Sequence, residues 1–279
     1  MYGCSDSTFK KVHAGKATTF RGSYDILKGQ PVKFMTHWSV SSSGECNWTN
    51  GESIYQFNFK TSKSRLVFSK WHFIQEFCVR DSFAFIVYNP SKQEGIDDNR
   101  FSPGLNFCCL NLKSGRRKYY DVPNKYNFTN LSISPDRRWA AFINTLFSKN
   151  GKFTKDQLVL FDLNTQTLKV IDSAENRHQW FGNEDKHNSS LWQNSATLVY
   201  YKNTKEEGRG SILSYNTLSG EISVKLKEIP ESNFIWFGYD GKAFYFSDRH
   251  SIYKTIDGKD REVVIGNQGD VLQATLYHF

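Results

Sequence analysis

Four side chains near the middle of the chain have the composition of a protein-recognition hot spot: Arg177, His178, Trp180 and Phe181. An aromatic pair beside an arginine offers large rigid contact area and directional hydrogen bonding at small entropic cost. They sit in a long polar stretch, residues 173–190 (SAENRHQWFGNEDKHNSS). Two readings of that stretch stand. Either the four side chains face a partner, or Trp180 and Phe181 tuck inward and anchor a long loop. Arg100 and Lys152 lie in two similar polar stretches, residues 89–104 (NPSKQEGIDDNRFSPG) and 144–157 (NTLFSKNGKFTKDQ), and complete the candidate partner-binding set. A fourth such stretch covers residues 202–210 (KNTKEEGRG).

Catalytic and cofactor patterns are not found. The sequence contains no GxSxG elbow, no HExxH helix, no Gly-rich phosphate loop and no EF-hand loop. Its seven histidines are scattered without ligand spacing. The Asp97-Asp98-Asn99 run has too few oxygens for a calcium ion, which takes six to eight. The expectation is therefore no catalytic residues, no metal and no cofactor. Five cysteines show no CxxC spacing, and Cys108 and Cys109, adjacent in an apolar run, read as buried small hydrophobes.

The net charge of +8 is uneven, because residues 1–130 carry 18 basic and 10 acidic side chains whereas the remainder balances. Such a surplus attracts an acidic protein, an anionic membrane or nucleic acid, or else it simply solubilises the surface. Its densest cluster, Lys113, Arg116, Arg117 and Lys118, falls in a hairpin turn, where charge is expected. Without stacking aromatics around it, nucleic acid is not an expected partner.

What must position the candidate residues is a repeating β unit. Two alternating strands flank a polar turn at residues 54–68, 105–120, 158–171, 212–224 and 252–264, with a fainter copy at 20–34. The starts of the five clear copies are 51, 53, 54 and 40 residues apart, a spacing suited to a four-stranded unit with variable loops. Further strand pairs precede the hairpins, at residues 77–88, 131–143, 191–201 and 234–246. In such meanders the long stretches fall at one end of each unit and the tight hairpin turns at the other. The apolar alternation at Val159, Phe161, Ile212 and Phe244 reads as core.

One unit also resembles a known family. SPDRRWAAF (residues 134–142) is similar to the SPDG-x-x-hydrophobic-Ala-hydrophobic element of TolB-like and WD40-like β-propellers, with Arg137 in place of the usual glycine. LVLFDLNTQTLKVI (residues 158–171) looks like the hairpin that follows it. The resemblance implies the fold and no particular function, since propellers host many unrelated activities. At the other extreme of the chain, Gly3-Cys4 followed by Ser5-Asp6-Ser7 resembles the end of a bacterial lipoprotein signal, with Cys4 as the acylated residue. The basic and apolar stretch that should precede it does not appear in the sequence.

The expected fold is all-β: one β-propeller of about six four-stranded blades over residues 13–279, behind a tether at 1–12. Five or seven blades remain alternatives. The ring would be zipped by pairing the N-terminal hairpin with the apolar strand at 271–279. The rival architecture is a β-sandwich or a pair of small β domains. The expected function is non-enzymatic binding of another protein, a secreted toxin or envelope component, through the long-loop face. In that reading the chain is an inhibitor or immunity protein in the bacterial periplasm or on the outer membrane, held to the membrane only through an acylated Cys4; without acylation it would be cytoplasmic. The alternative is a propeller hydrolase or lyase acting on a glycan or peptide with carboxylates around an axial pocket.

Overall fold

The computed structural model describes residues 10–14, 17–21, 38–40, 45–49, 54–58, 63–68, 73–89, 106–123, 129–148, 150, 152–175, 181, 190–204, 209–230, 236–239, 242–247, 252–256, 260–265 and 274–278. It divides into two compact units, residues 1–125 with 275–279, and residues 126–274.

The first unit opens with β1 (Lys10–Ala14) and β2 (Ala17–Arg21). Strand β1 begins inside the stretch expected as a tether. Two antiparallel four-stranded meanders follow. The first holds β3 (Trp38–Val40), β4 (Glu45–Thr49), β5 (Ile54–Asn58) and β6 (Lys63–Phe68). The second holds β7 (Phe73–Arg80), β8 (Phe83–Asn89), β9 (Asn106–Asn111) and β10 (Arg117–Tyr120). In both, spatial order follows chain order, and β3 lies against β7. The last strand, β23 (Ala274–His278), pairs beside β2 in a sheet of order β1-β2-β23. The pairing expected for the last strand is with the fainter hairpin copy at 20–34. The hairpin is Lys10–Arg21, however, and most of the fainter copy at 20–34 lies outside the described residues.

The second unit repeats the meander three times. One sheet holds β11 (Thr129–Ile133), β12 (Trp139–Phe147), β13 (Phe153–Asp162) and β14 (Thr167–Glu175). The next holds β15 (Ser190–Asn194), β16 (Thr197–Thr204), β17 (Arg209–Asn216) and β18 (Ile222–Pro230). The third holds β19 (Trp236–Tyr239), β20 (Phe244–Ser247), β21 (Ile252–Thr255) and β22 (Glu262–Ile265). First strands neighbour one another across sheets, β11 with β15 and β15 with β19.

This packing explains why the middle strands read as unbroken apolar runs. On β16, Leu198 and Tyr200 belong to a core shared with Ile143 and Leu160 of the preceding sheet. The intervening Val199 and Tyr201 pack with Phe244 of the following one. A strand buried on both faces has no wet side to alternate towards. The four positions read as core, Val159, Phe161, Ile212 and Phe244, are all buried, as are Cys108 and Cys109.

Turn chemistry is repeated from sheet to sheet. Asn111, Asp162 and Asn216 each close a third strand. Each side-chain oxygen accepts hydrogen bonds from the amides two and three residues on, at 2.8 to 3.2 Å. Four residues later the chain enters the left-handed region, at Gly115, Gln166 and Gly220, whose amides return to the carbonyls of Asn111, Asp162 and Asn216. In these three sheets one backbone bond then stitches the two tight turns together: Leu112 to Ser82, Leu163 to Arg138 and Thr217 to Ala196, each 2.8 Å. In the SPDRRW turn Asp136 accepts from Ser134 Oγ at 2.6 Å and from the Arg138 amide at 3.2 Å, while Arg138 pairs with Asp162. Arg137 has φ +59°, which is why related turns carry glycine there.

Candidate functional site

In an antiparallel four-stranded meander the connection between second and third strands lies at the same end as the link to the next sheet. The other end holds the two tight turns. In the second unit that other end is tied down by the stitched turns just described. The free end carries the β12–β13 connection, the β14–β15 connector and the β16–β17 loop.

The expected binding residues fall as follows. Lys152 is exposed in the β12–β13 connection. That turn is closed by the Ser148 amide donating to the Lys152 carbonyl at 2.7 Å and the Lys152 amide donating to Ser148 Oγ at 3.2 Å. Arg100, Arg177, His178, Trp180 and Cys4 lie outside the described residues. Phe181 takes the inward alternative and is fully buried. It is therefore removed from the set of partner contacts, because a ring with no accessible surface has nothing to offer a partner.

What holds Phe181 is a cluster that sequence reasoning missed. Phe181 forms an isolated antiparallel bridge with Lys202, and its ring meets Tyr200 edge-to-face at 5.9 Å between centroids. The Lys202 ammonium lies 5.7 Å from the Phe181 ring centroid and donates to Asp172 Oδ1 at 2.7 Å and to the Ser173 carbonyl at 2.8 Å. Tyr200 donates its hydroxyl to Asp172 Oδ2 at 2.9 Å. Burial, followed by the Asp172 charge and hydrogen bond, raises the Tyr200 phenol above its ordinary value, so it stays a protonated donor. A second tie joins the same two sheets, Lys169 Nζ to Tyr215 OH at 2.8 Å. Both ties bridge β14 to the sheet that follows the connector, so the connector's root is clamped on each side. The only sequence signal was a lone Asp after an apolar run (KVID) and a lone Lys after Tyr200-Tyr201.

Polar side chains are also buried beneath the free end. Thr145 Oγ1 donates to Asp156 Oδ1 at 2.6 Å, and both residues are buried. In the next sheet the matching register places Asn203 opposite Gly210. The side-chain oxygen and nitrogen of Asn203 are both buried without a hydrogen-bond partner. Gly210 is dictated by packing, since a Cβ there would collide with the Tyr201 hydroxyl. Among the described residues no three His, Cys, Asp or Glu side chains converge as a metal site would require.

No family model matches the chain, and no curated protein matches its sequence. Solved structures do match. An oligogalacturonate lyase from Vibrio parahaemolyticus superposes with a TM-score of 0.53 at 12% identity, covering 93% of this chain and 85% of that one. A chain of the nidogen/laminin complex gives 0.54 at 9% identity, with 96% of each chain covered. TolB from Acinetobacter baumannii gives 0.51 at 11% identity, covering 87% of this chain and 57% of its own. At such identities the likeness speaks to fold alone. The chain has the TolB-like β-propeller fold, on which known structures include both enzymes and binding proteins.

Proposed function

We propose that this β-propeller chain is a non-enzymatic binding protein that recognises another protein through the free, long-loop end of its second unit. The observation that carries the reading is the clamp at Phe181. An interface loop gains affinity when its ordering cost is already met in the free protein. The buried Phe181 ring and the Lys202–Asp172 pair fix the root of residues 173–190 in that way. Arg177, His178 and Trp180 then contribute the contact side chains immediately before the fixed point, with Lys152 on the neighbouring connection. The basic and aromatic character of this set suits a partner with an acidic or mixed-charge surface, a secreted toxin or an envelope component. An envelope location, with Cys4 as lipid attachment point, is the part of this reading that rests on the Gly3-Cys4 resemblance.

The test uses the partner captured from the native host and the purified full chain. Arg177→Ala combined with Trp180→Ala should weaken binding by about 100-fold or more, as loss of hot-spot anchors does, without moving the unfolding midpoint. Unchanged affinity in that double variant would place recognition elsewhere.

A further inference from the structure

The basic surplus of the first half of the sequence is concentrated in two places. The hairpins at residues 54–68 and 105–120 together hold seven Lys or Arg residues and no Asp or Glu. The three corresponding hairpins of the second unit, residues 158–171, 212–224 and 252–264, hold four basic and five acidic residues. Almost the whole net charge of +8 thus belongs to two hairpins.

The fold makes these two hairpins equivalent, in two adjoining sheets. In the first meander Lys63 pairs with Asn58 and Arg65 with Gln56. In the second, Arg117 pairs with Leu110 and Lys118 with Cys109, and the Asn111 amide bonds the Arg116 carbonyl. Lys63 therefore occupies the register of Arg116, and Arg65 that of Lys118. Both basic strands, β6 and β10, are the outermost of their sheets, and the two sheets adjoin through β3 and β7. Lys113, Arg116, Arg117 and Lys118 are exposed on a turn held rigid by the Asn111 side chain.

Two large apolar side chains complete the pattern at one further matched position. Leu66 pairs with Tyr55 and Tyr119 with Cys108, and they are 52% and 55% exposed. Basic residues interleaved with exposed leucine and tyrosine are the composition of a surface that rests on lipid. Lysine and arginine meet the phosphates, while leucine and tyrosine enter the headgroup boundary. Duplex nucleic acid would reward the charges but not Leu66.

We infer that the outer hairpins β5–β6 and β9–β10 form a basic docking surface for an anionic phospholipid membrane. In the second meander this surface lies at the end opposite the long connection between β8 and β9. The surface belongs to the first unit alone, and the inference does not depend on the protein-binding proposal.

Co-sedimentation of the full chain with vesicles tests it. The chain should pellet with vesicles containing roughly one-third phosphatidylglycerol, and not with pure phosphatidylcholine, at about 0.1 M salt. Replacing Lys113→Gln, Arg116→Gln, Arg117→Gln and Lys118→Gln together should weaken binding at least about tenfold. The same number of neutralisations on exposed positions of the second unit, Lys225→Gln, Lys227→Gln, Lys242→Gln and Arg261→Gln, should leave it within about twofold. Leu66→Ser with Tyr119→Ser should lower vesicle binding severalfold. The inference is overturned by equal binding to both vesicle types or by equal loss in the two quadruple variants. It is also overturned if the Leu66→Ser, Tyr119→Ser variant binds unchanged, or if duplex DNA displaces the chain from vesicles at equal phosphate.

Discussion

Arg137 and Gln166 hold left-handed backbone angles that cost an L-residue about 1 kcal/mol, and Gly115 and Gly220 show what their neighbours use at the Gln166 position. Arg137→Gly and Gln166→Gly should each raise stability by about 0.5–1 kcal/mol in urea unfolding. A loss of that size would mean the side chain's own contacts outweigh the strain. Asn203 is the opposite case, a buried amide with both polar atoms unpaired. Asn203→Leu, which keeps the number and branching of side-chain heavy atoms, should stabilise the chain by about 1–2 kcal/mol, because an unmet buried polar group is costly and an apolar one is not. The burial of Asn203 could not be read from the sequence, where it stands in KNTKEEGRG among loop-like residues. The glycine missing from SPDRRW, by contrast, was visible, and the angle at Arg137 explains what it meant.

Meanders are where sequence and structure agree most closely. The hairpins at 54–68, 105–120, 158–171, 212–224 and 252–264 all form, as do the four strand pairs expected before them. Their alternation and Asx turns are local properties, fixed by a few adjacent residues. Strands β3 and β4 are short and flanked by Ser and Asn, so they gave no comparable periodic signal. Edge strands keep the same locality: Lys118, Lys169 and Glu262 interrupt the apolar positions of outermost strands, which discourages pairing with other chains. The clamp at Phe181 depends instead on residues thirty positions apart, Asp172 and Lys202, and no spacing rule anticipates it. Phe181→Ala should cost about 3–4 kcal/mol, read as a lowered denaturation midpoint. Lys202→Met should cost about 1–3 kcal/mol by leaving the largely buried Asp172 carboxylate without its cation. If Phe181→Ala were silent, the ring would not be the connector's anchor.

Across the whole molecule the buried thiol and phenols set a pH dependence. Burial pushes Cys108 from 9.0 to about 12 and Tyr88 from 10.0 to about 12. Both groups therefore hold their protons more tightly folded than unfolded. As pH rises above about 9 the unfolded chain releases those protons first, so stability falls from there towards pH 12 and is fully present below about 9. Thermal unfolding between pH 8 and pH 11 should show that decline, and Cys108→Ala should remove its lower part. A midpoint constant over that range would contradict the burial described for these groups. Charge, too, is a molecule-wide quantity, and its excess over residues 1–130 was evident in the sequence. The equivalence of the two hairpins that hold it emerged only when strand register was known.

The protein-binding account divides the second unit into a stitched end of tight turns and a free end of long connections. Hydrogen–deuterium exchange on the chain with and without its captured partner measures that division directly. The account predicts protection confined to segments at the free end: 144–157, 173–190 and 202–210. Protection instead over the tight turns at 134–138, 163–166 and 217–221, with the long segments unchanged, would contradict it.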